Sequence, residues 1–244
     1  EAVEVTRQDN ALPTVLGRAC NHLCENLCIR THYDEPLAIR EMKRFIMEQE
    51  KKPCYRPRAA ARGVRIAVIG GGPCGLSAAY FLAQAGYAVT VFEARPYTGG
   101  MVSGTIPTYR AKQAVIDQDM EIIRQLGVEI LYNQRAGRDF TIADLRSQGF
   151  KYIVIGVGAQ RGRTLGVDGE KSAGVLEALE FLRNSKEGHP PALGARIGVI
   201  GGGDVAMDCA RTAWRLTGAK VTIIYRRTMD EMPAALEEIV GALE

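Results

Sequence analysis

Long apolar runs are missing from this 244-residue chain. None approaches the ~20 residues that a membrane-crossing helix needs, so no span is expected. A charge excess of one sign is missing too: the net charge is +3, which argues against general nucleic-acid binding. Glu1–Asn10 is polar and acidic and does not resemble a signal peptide. No paired C-x2-C motifs occur, which disfavours a structural zinc site. There is no C-x4-C pair, which disfavours disulfide exchange. Six cysteines without a small secreted framework read as reduced thiols in the cytoplasm. Low-complexity segments are absent. The 46% hydrophobic content is enough to bury at least one good core.

What is present is a pair of glycine-rich turns. Gly70-x-Gly72-x-x-Gly75 follows the apolar run Val64–Ile69, and Gly201-x-Gly203-x-x-Ala206 follows Ile197–Ile200. Each opens a helix-like segment. The first glycine permits a tight turn, the second leaves room for a pyrophosphate, and the third position lets the helix pack against the sheet. Phosphates then meet the unpaired N–H groups of a helix start. A lone turn of this kind can bind nothing; two in context read as two dinucleotides with electron transfer between them. After the first, Ala88–Phe92 ends in Glu93, about 20 residues on, where a carboxylate accepts from ribose hydroxyls. After the second, Val221–Tyr225 ends in Arg226 and Arg227, which suit a 2′-phosphate. The first site therefore reads as a cofactor with free ribose hydroxyls and the second as NADP(H). The bland reading of the arginine pair is a solvated strand end.

Strands alternating with helices predict an α/β fold with doubly wound parallel sheets. Residues 1–50 read as mainly helical. Residues 51–63 read as a basic linker with Lys51, Lys52, Arg56, Arg58 and Arg62 around Pro53 and Pro57. Residues 64–165 form the first nucleotide domain. Residues 166–244 begin a second one, whose strand–helix–strand start looks unfinished, so the chain reads as part of a longer protein. Cys20, Cys24 and Cys28 recur at a spacing of four. On a continuous helix they would share a face. They read equally as ligands of a metal cluster or as buried structural thiols. A cubane needs a fourth ligand, and only Cys54, in the linker, remains nearby. Cys74 lies in the first glycine turn and Cys209 in the second helix, neither with a C-x4-C partner; His22, His189 and Trp214 read as structural.

Several segments together resemble the glutamate synthase small subunit group, which also includes the amino-terminal half of dihydropyrimidine dehydrogenase. These are residues 12–20 (LPTVLGRAC) with Cys24, Cys28 and 36–40, then 65–79 (RIAVIGGGPCGLSAA), Gly99-Gly100-Met101 through Arg110, 156–160, 201–212 (GGGDVAMDCART), Tyr225-Arg226-Arg227 and Met232-Pro233-Ala234. The resemblance covers nearly the whole chain. It implies two Rossmann-like nucleotide-binding domains preceded by a small helical iron–sulfur segment. It also implies FAD in the first site, NADPH in the second, and [4Fe-4S] clusters passing electrons to a partner subunit or domain. By position, Gly70, Gly72, Pro73 and Gly75 face the FAD pyrophosphate and Glu93 its ribose. Gly100 and Met101 lie beside the flavin, and Ala159 closes that site. Gly203, Asp204, Val205 and Ala206 hold the NADPH pyrophosphate, Arg226 and Arg227 its 2′-phosphate, and Cys20, Cys24 and Cys28 the cluster. Two positions depart from the group: Leu16 where many members have Cys, and Asp204 where many have Asn. Asp204 brings a carboxylate near phosphates unless it caps its helix. The expected activity is NADPH oxidation by an iron–sulfur flavoprotein module. The alternatives are a non-catalytic docking or electron-relay subunit and a flavin-dependent disulfide reductase.

Overall fold

A computed structural model describes residues 1–244 except Cys54, Arg56 and Pro57, so expectations for those three linker positions lie outside the described residues. The chain divides into two units. The first comprises residues 1–103 and 109–158, the second 104–108 and 159–244.

The first unit opens with helices α1 (Ala2–Gln8), α2 (Pro13–Ala19), α3 (Leu23–Asn26) and α4 (Ile39–Glu48), with a 3-10 turn at Ile29–His32. There follow β1 (Arg65–Ile69), α5 (Pro73–Gln84), β2 (Ala88–Phe92), α6 (Met101–Gly104), α7 (Gln113–Gln125), β3 (Glu129–Leu131), α8 (Ile142–Ser147) and β4 (Phe150–Ile155). The four strands form one parallel sheet in the order β3-β2-β1-β4. That is the order of a Rossmann half, with the first strand central. β1 and β2 are apolar and buried after their first residue, as parallel strands covered on both faces must be. Ala67, Ile69, Phe92, Phe140, Leu145 and Phe150 form one core beside this sheet.

The second unit holds α9 (Ala178–Lys186), β5 (Ile197–Ile200), α10 (Asp204–Thr217), β6 (Val221–Ile224) and α11 (Leu236–Leu243). β5 and β6 pair in parallel around the crossover helix α10. Phe181 and Leu182 of α9 pack with Cys209 and Ala213 on one side of α10. Met207, Ala234 and Ile239 form a second cluster that seats α11.

The helical segment is docked onto the first sheet unit by buried charge. Arg7 is fully buried. Its Nε donates to Glu50 Oε1 at 2.7 Å and its Nη1 to Asp119 Oδ1 at 3.1 Å, on α7. Asp119 also accepts from the Val15 N–H at 3.0 Å. The hydroxyl of Tyr80, on α5, donates to the Arg7 carbonyl at 2.8 Å. Burial pushes the Asp119 carboxyl up, against the pull of Thr14, Val15 and Arg7. Breaking one side of a buried pair strands the other charge. Asp119→Ala is therefore expected to cost about 3 kcal/mol in urea denaturation, with Arg7 still paired to Glu50; adding Arg7→Met should cost more, because it leaves the buried Glu50 carboxylate without its guanidinium.

The basic linker is also tied down where it is described. Arg58 Nη2 donates to the Tyr87 carbonyl and Arg62 Nε to the Ala85 carbonyl, at 2.8 and 2.7 Å. These arginines satisfy carbonyls at the C-terminal end of α5, where cations are favoured.

Candidate functional site

The first glycine turn connects β1 to α5, and its three glycines are there for different reasons. Gly70 sits at φ +104°, and an added Cβ would strike the Gly156 carbonyl. A Cβ on Gly75 would strike the Gly70 carbonyl oxygen. These two are demanded by the protein itself. Gly72 is not. Its backbone is extended (φ −83°, ψ −179°), and the nearest atom to an added Cβ is Gly100 Cα at 3.8 Å. Neither conformation nor packing asks for glycine, so the space over Gly72 is left for something outside the chain. Pro73 follows at the first helical position, where its missing N–H costs nothing.

Other predicted residues gather round this turn. The Glu93 carboxylate is buried at the end of β2. Its Oε2 accepts from the Gly71 N–H at 2.7 Å and its Oε1 from the Arg95 N–H at 2.8 Å. Each oxygen keeps a further lone pair. The Gly99 N–H donates to the Gly71 carbonyl at 2.7 Å, and a Cβ on Gly100 would lie 2.9 Å from Gly72 Cα. The Gly99–Gly100 loop thus rests directly on the turn, and Met101 opens α6 from it. Ala159 is exposed and groups with the second unit.

The second turn repeats the logic with one change. Gly201 sits at φ +140°, and an added Cβ would lie 3.3 Å from Ala206 Cβ. Contact there is tight but not prohibitive, so alanine serves as the third residue. Gly203 is extended (φ −98°, ψ 174°), and an added Cβ finds nothing nearer than Pro233 Cγ at 4.0 Å. It is the counterpart of Gly72. Val205 is exposed and Ala206 buried.

β6 ends at Ile224 rather than carrying on to Tyr225, because Tyr225 turns in to cover Gly202. Arg226 and Arg227 follow in a bend, both exposed and without an ion-pair or hydrogen-bond partner among the described residues. Asp204 does not cap its own helix. Its Oδ1 accepts from the Ala235 N–H at 2.9 Å.

The cysteines correct the sequence expectation. They do not lie along one helix. α2 stops at Cys20, whose backbone is extended; His22 is left-handed; Cys24 lies in the four-residue α3; and Cys28 is extended ahead of the 3-10 turn. Among the described residues no three His, Cys, Asp or Glu side chains gather as a metal site. The thiols have the right chemistry for iron, but they do not form a ligand set here. Elsewhere, Cys209 is buried and its thiol is pushed up to about 12, chiefly by desolvation. It remains protonated at neutral pH, so it is no redox nucleophile.

Sequence reasoning missed three contacts. Lys186 Nζ donates to the Ile106 carbonyl at 2.6 Å, and burial pushes its ammonium down to about 8. The Asp204–Ala235 bond and the Tyr225–Gly202 packing are the other two. A bond that ends on a backbone atom leaves no mark on the sequence. The Tyr225 packing left no separate signal, because Gly202 already belongs to the glycine turn.

Comparison with known proteins agrees with this geometry. Residues 64–242 match the family model described as pyridine nucleotide-disulphide oxidoreductase. Residues 1–54 match dihydropyrimidine dehydrogenase domain II, 4Fe-4S cluster. The cofactors of these two families are FAD with NADPH and a 4Fe-4S cluster. The beta subunit of an NADPH-Fe(3+) oxidoreductase from Geobacter sulfurreducens is 37% identical, over 100% of this chain and 37% of that one. The NADPH glutamate synthase small chain of Escherichia coli is 34% identical, over 100% of this chain and 55% of its own. Among solved structures, the Mycobacterium tuberculosis oxidoreductase FprA matches with a TM-score of 0.63 and 25% identity, covering 77% of this chain and 48% of that one. The chain spans between 24% and 55% of the length of such curated relatives. No helix among the described residues is long and apolar enough to cross a membrane. A pair of nucleotide turns on parallel sheets, matched over most of the chain, makes this protein a member of the pyridine nucleotide-disulphide oxidoreductase family.

Proposed function

We propose that this chain is the nucleotide-binding part of an NADPH-oxidising iron–sulfur flavoprotein that serves an electron-accepting partner subunit or domain in the cytoplasm. When bound, FAD and NADPH supply the redox chemistry, with hydride moving from nicotinamide to flavin and single electrons leaving toward a [4Fe-4S] cluster and the partner. The observation that carries this reading is the matched pair Gly72 and Gly203. Each is a glycine that neither its conformation nor its packing requires, and each stands at the start of a crossover helix. In this reading residues 64–165 hold FAD and residues 166–244 NADPH, while residues 1–50 belong to the iron–sulfur segment.

The chain's own residues then have distinct tasks. Gly70, Gly75 and Gly201 shape the turns. Pro73 sets the first turn of α5, and its N-terminal N–H groups face the FAD pyrophosphate. Glu93, already fixed by two N–H donors, accepts from the ribose. Gly100 and Met101 border the flavin, and Ala159 closes that site. Gly203, Asp204, Val205 and Ala206 border the NADPH pyrophosphate. Arg226 and Arg227 stand free to receive a 2′-phosphate. The test is an absorbance spectrum of the purified full-length protein, followed anaerobically as NADPH is added. Bleaching of a flavin band by NADPH supports the reading. A protein that binds neither nucleotide would make the chain a relay subunit if iron–sulfur absorbance remains and a docking subunit if it is colourless.

Cys20, Cys24 and Cys28 are assigned as cluster ligands completed from elsewhere in the intact protein. Cys24→Ser is expected to lower iron and sulfide content and slow electron delivery to an acceptor, while flavin reduction by NADPH continues. Unchanged iron stoichiometry returns these thiols to a structural role.

A further inference from the structure

The second glycine turn is roofed by a strap of chain. Two hydrogen bonds hold it. The Ala234 N–H donates to the Gly202 carbonyl at 3.1 Å. The Ala235 N–H donates to Asp204 Oδ1 at 2.9 Å. Between them, Pro233 Cγ is the atom closest to where a Cβ on Gly203 would stand, at 4.0 Å. Tyr225 braces the other side: its ring occupies the place of a Gly202 side chain, and its hydroxyl donates to the Glu231 carbonyl at 3.1 Å. The space over Gly203 is therefore bounded by Pro233 as well as by the turn.

Asp204 does two opposed things there. It is the first residue of α10 and lies at that helix's positive end. Its carboxylate also fixes the strap by accepting from a main-chain N–H, a bond that an asparagine carbonyl can also make. The charge strengthens the latch but is not needed to form it. It does stand beside the place where a pyrophosphate diester would lie, and like charges repel.

We infer that Asp204 is a positioning residue that latches the 232–235 strap over the dinucleotide turn and at the same time weakens binding of the anionic dinucleotide. The inference rests on the reading of this turn as the NADPH site. Ground-state binding beyond what the working concentration requires adds nothing to kcat, so such a charge need not cost turnover.

The experiment compares wild-type, Asp204→Asn and Asp204→Ala forms of the full-length holoprotein. Two quantities are measured: NADPH affinity by fluorescence titration at low and high salt, and hydrogen exchange at the Ala235 amide. Asp204→Asn should keep Ala235 protected and tighten NADPH by about three- to tenfold at low salt, with the gain shrinking at high salt. Asp204→Ala should speed Ala235 exchange roughly tenfold and bind NADPH less tightly than the asparagine form. Unchanged Ala235 exchange in Asp204→Ala overturns the latch. Equal or weaker NADPH binding by Asp204→Asn overturns the repulsion. A wild-type protein that binds no NADPH overturns the functional reading and the repulsion with it, whereas a failed latch appears as unaltered exchange in a protein that binds NADPH normally.

Discussion

Gly72→Val yields a folded protein without flavin. The substitution places a branched side chain where the protein has no atoms of its own, since the nearest is 3.8 Å from the first carbon. Its backbone is in an extended region open to any residue. Folding stability should therefore change by no more than about 1 kcal/mol, and the loss of a flexible glycine in the unfolded chain favours the variant slightly. A pyrophosphate that must approach this main chain within contact distance has no room left. Flavin absorbance in the purified protein should fall to background, while the thermal transition should match that of the flavin-free wild type. Gly75→Val is the contrasting control, because there the new carbon meets the Gly70 carbonyl and the turn itself must break. Normal flavin content in Gly72→Val would remove the first site from the assignment.

Replacing Arg226 and Arg227 together with alanine should collapse the preference for NADPH over NADH. Both side chains are exposed and unpaired at the end of β6, so no internal contact is lost and the fold is untouched. A charge-assisted hydrogen bond contributes roughly 1.5–3 kcal/mol, or about 10- to 150-fold in affinity. Two arginines on one phosphate need not add. The ratio of flavin-reduction efficiencies with the two nucleotides should fall by at least about tenfold. The salt dependence of NADPH binding should flatten with it. If the ratio holds, cofactor choice is made elsewhere.

The strands that lead into both glycine turns were legible in the sequence because parallel strands announce themselves. The runs that became β1, β2 and β5 are apolar, short and followed at once by glycine or acid, and the structure moves their ends by a residue or so. The helical segment was harder. A spacing of four fits a helix face, but it also fits cysteines distributed over successive turns. His22 in a left-handed conformation and the extended backbones of Cys20 and Cys28 decide for the second. Nothing in the sequence marks the ties made by Arg7, Asp119, Arg58 and Arg62, whose partners are distant in sequence or are main-chain carbonyls. A sequence shows that a residue is charged, not whether a carbonyl waits for it.

The five residues 104–108 belong to the second unit although the chain on either side of them belongs to the first. Lys186 holds them through the Ile106 carbonyl, 80 positions away. During synthesis this piece emerges long before its partner, and it must wait unanchored until α9 has been made. Closing so long a loop carries an entropy cost that grows with its length and slows folding. The second unit is thus not a segment that a single cut could release. A chain started at residue 159 would lack the stretch that Lys186 holds, and supplying residues 104–108 as a separate peptide should raise its stability. Any exchange of nucleotide modules between relatives would have to move two stretches of sequence, not one.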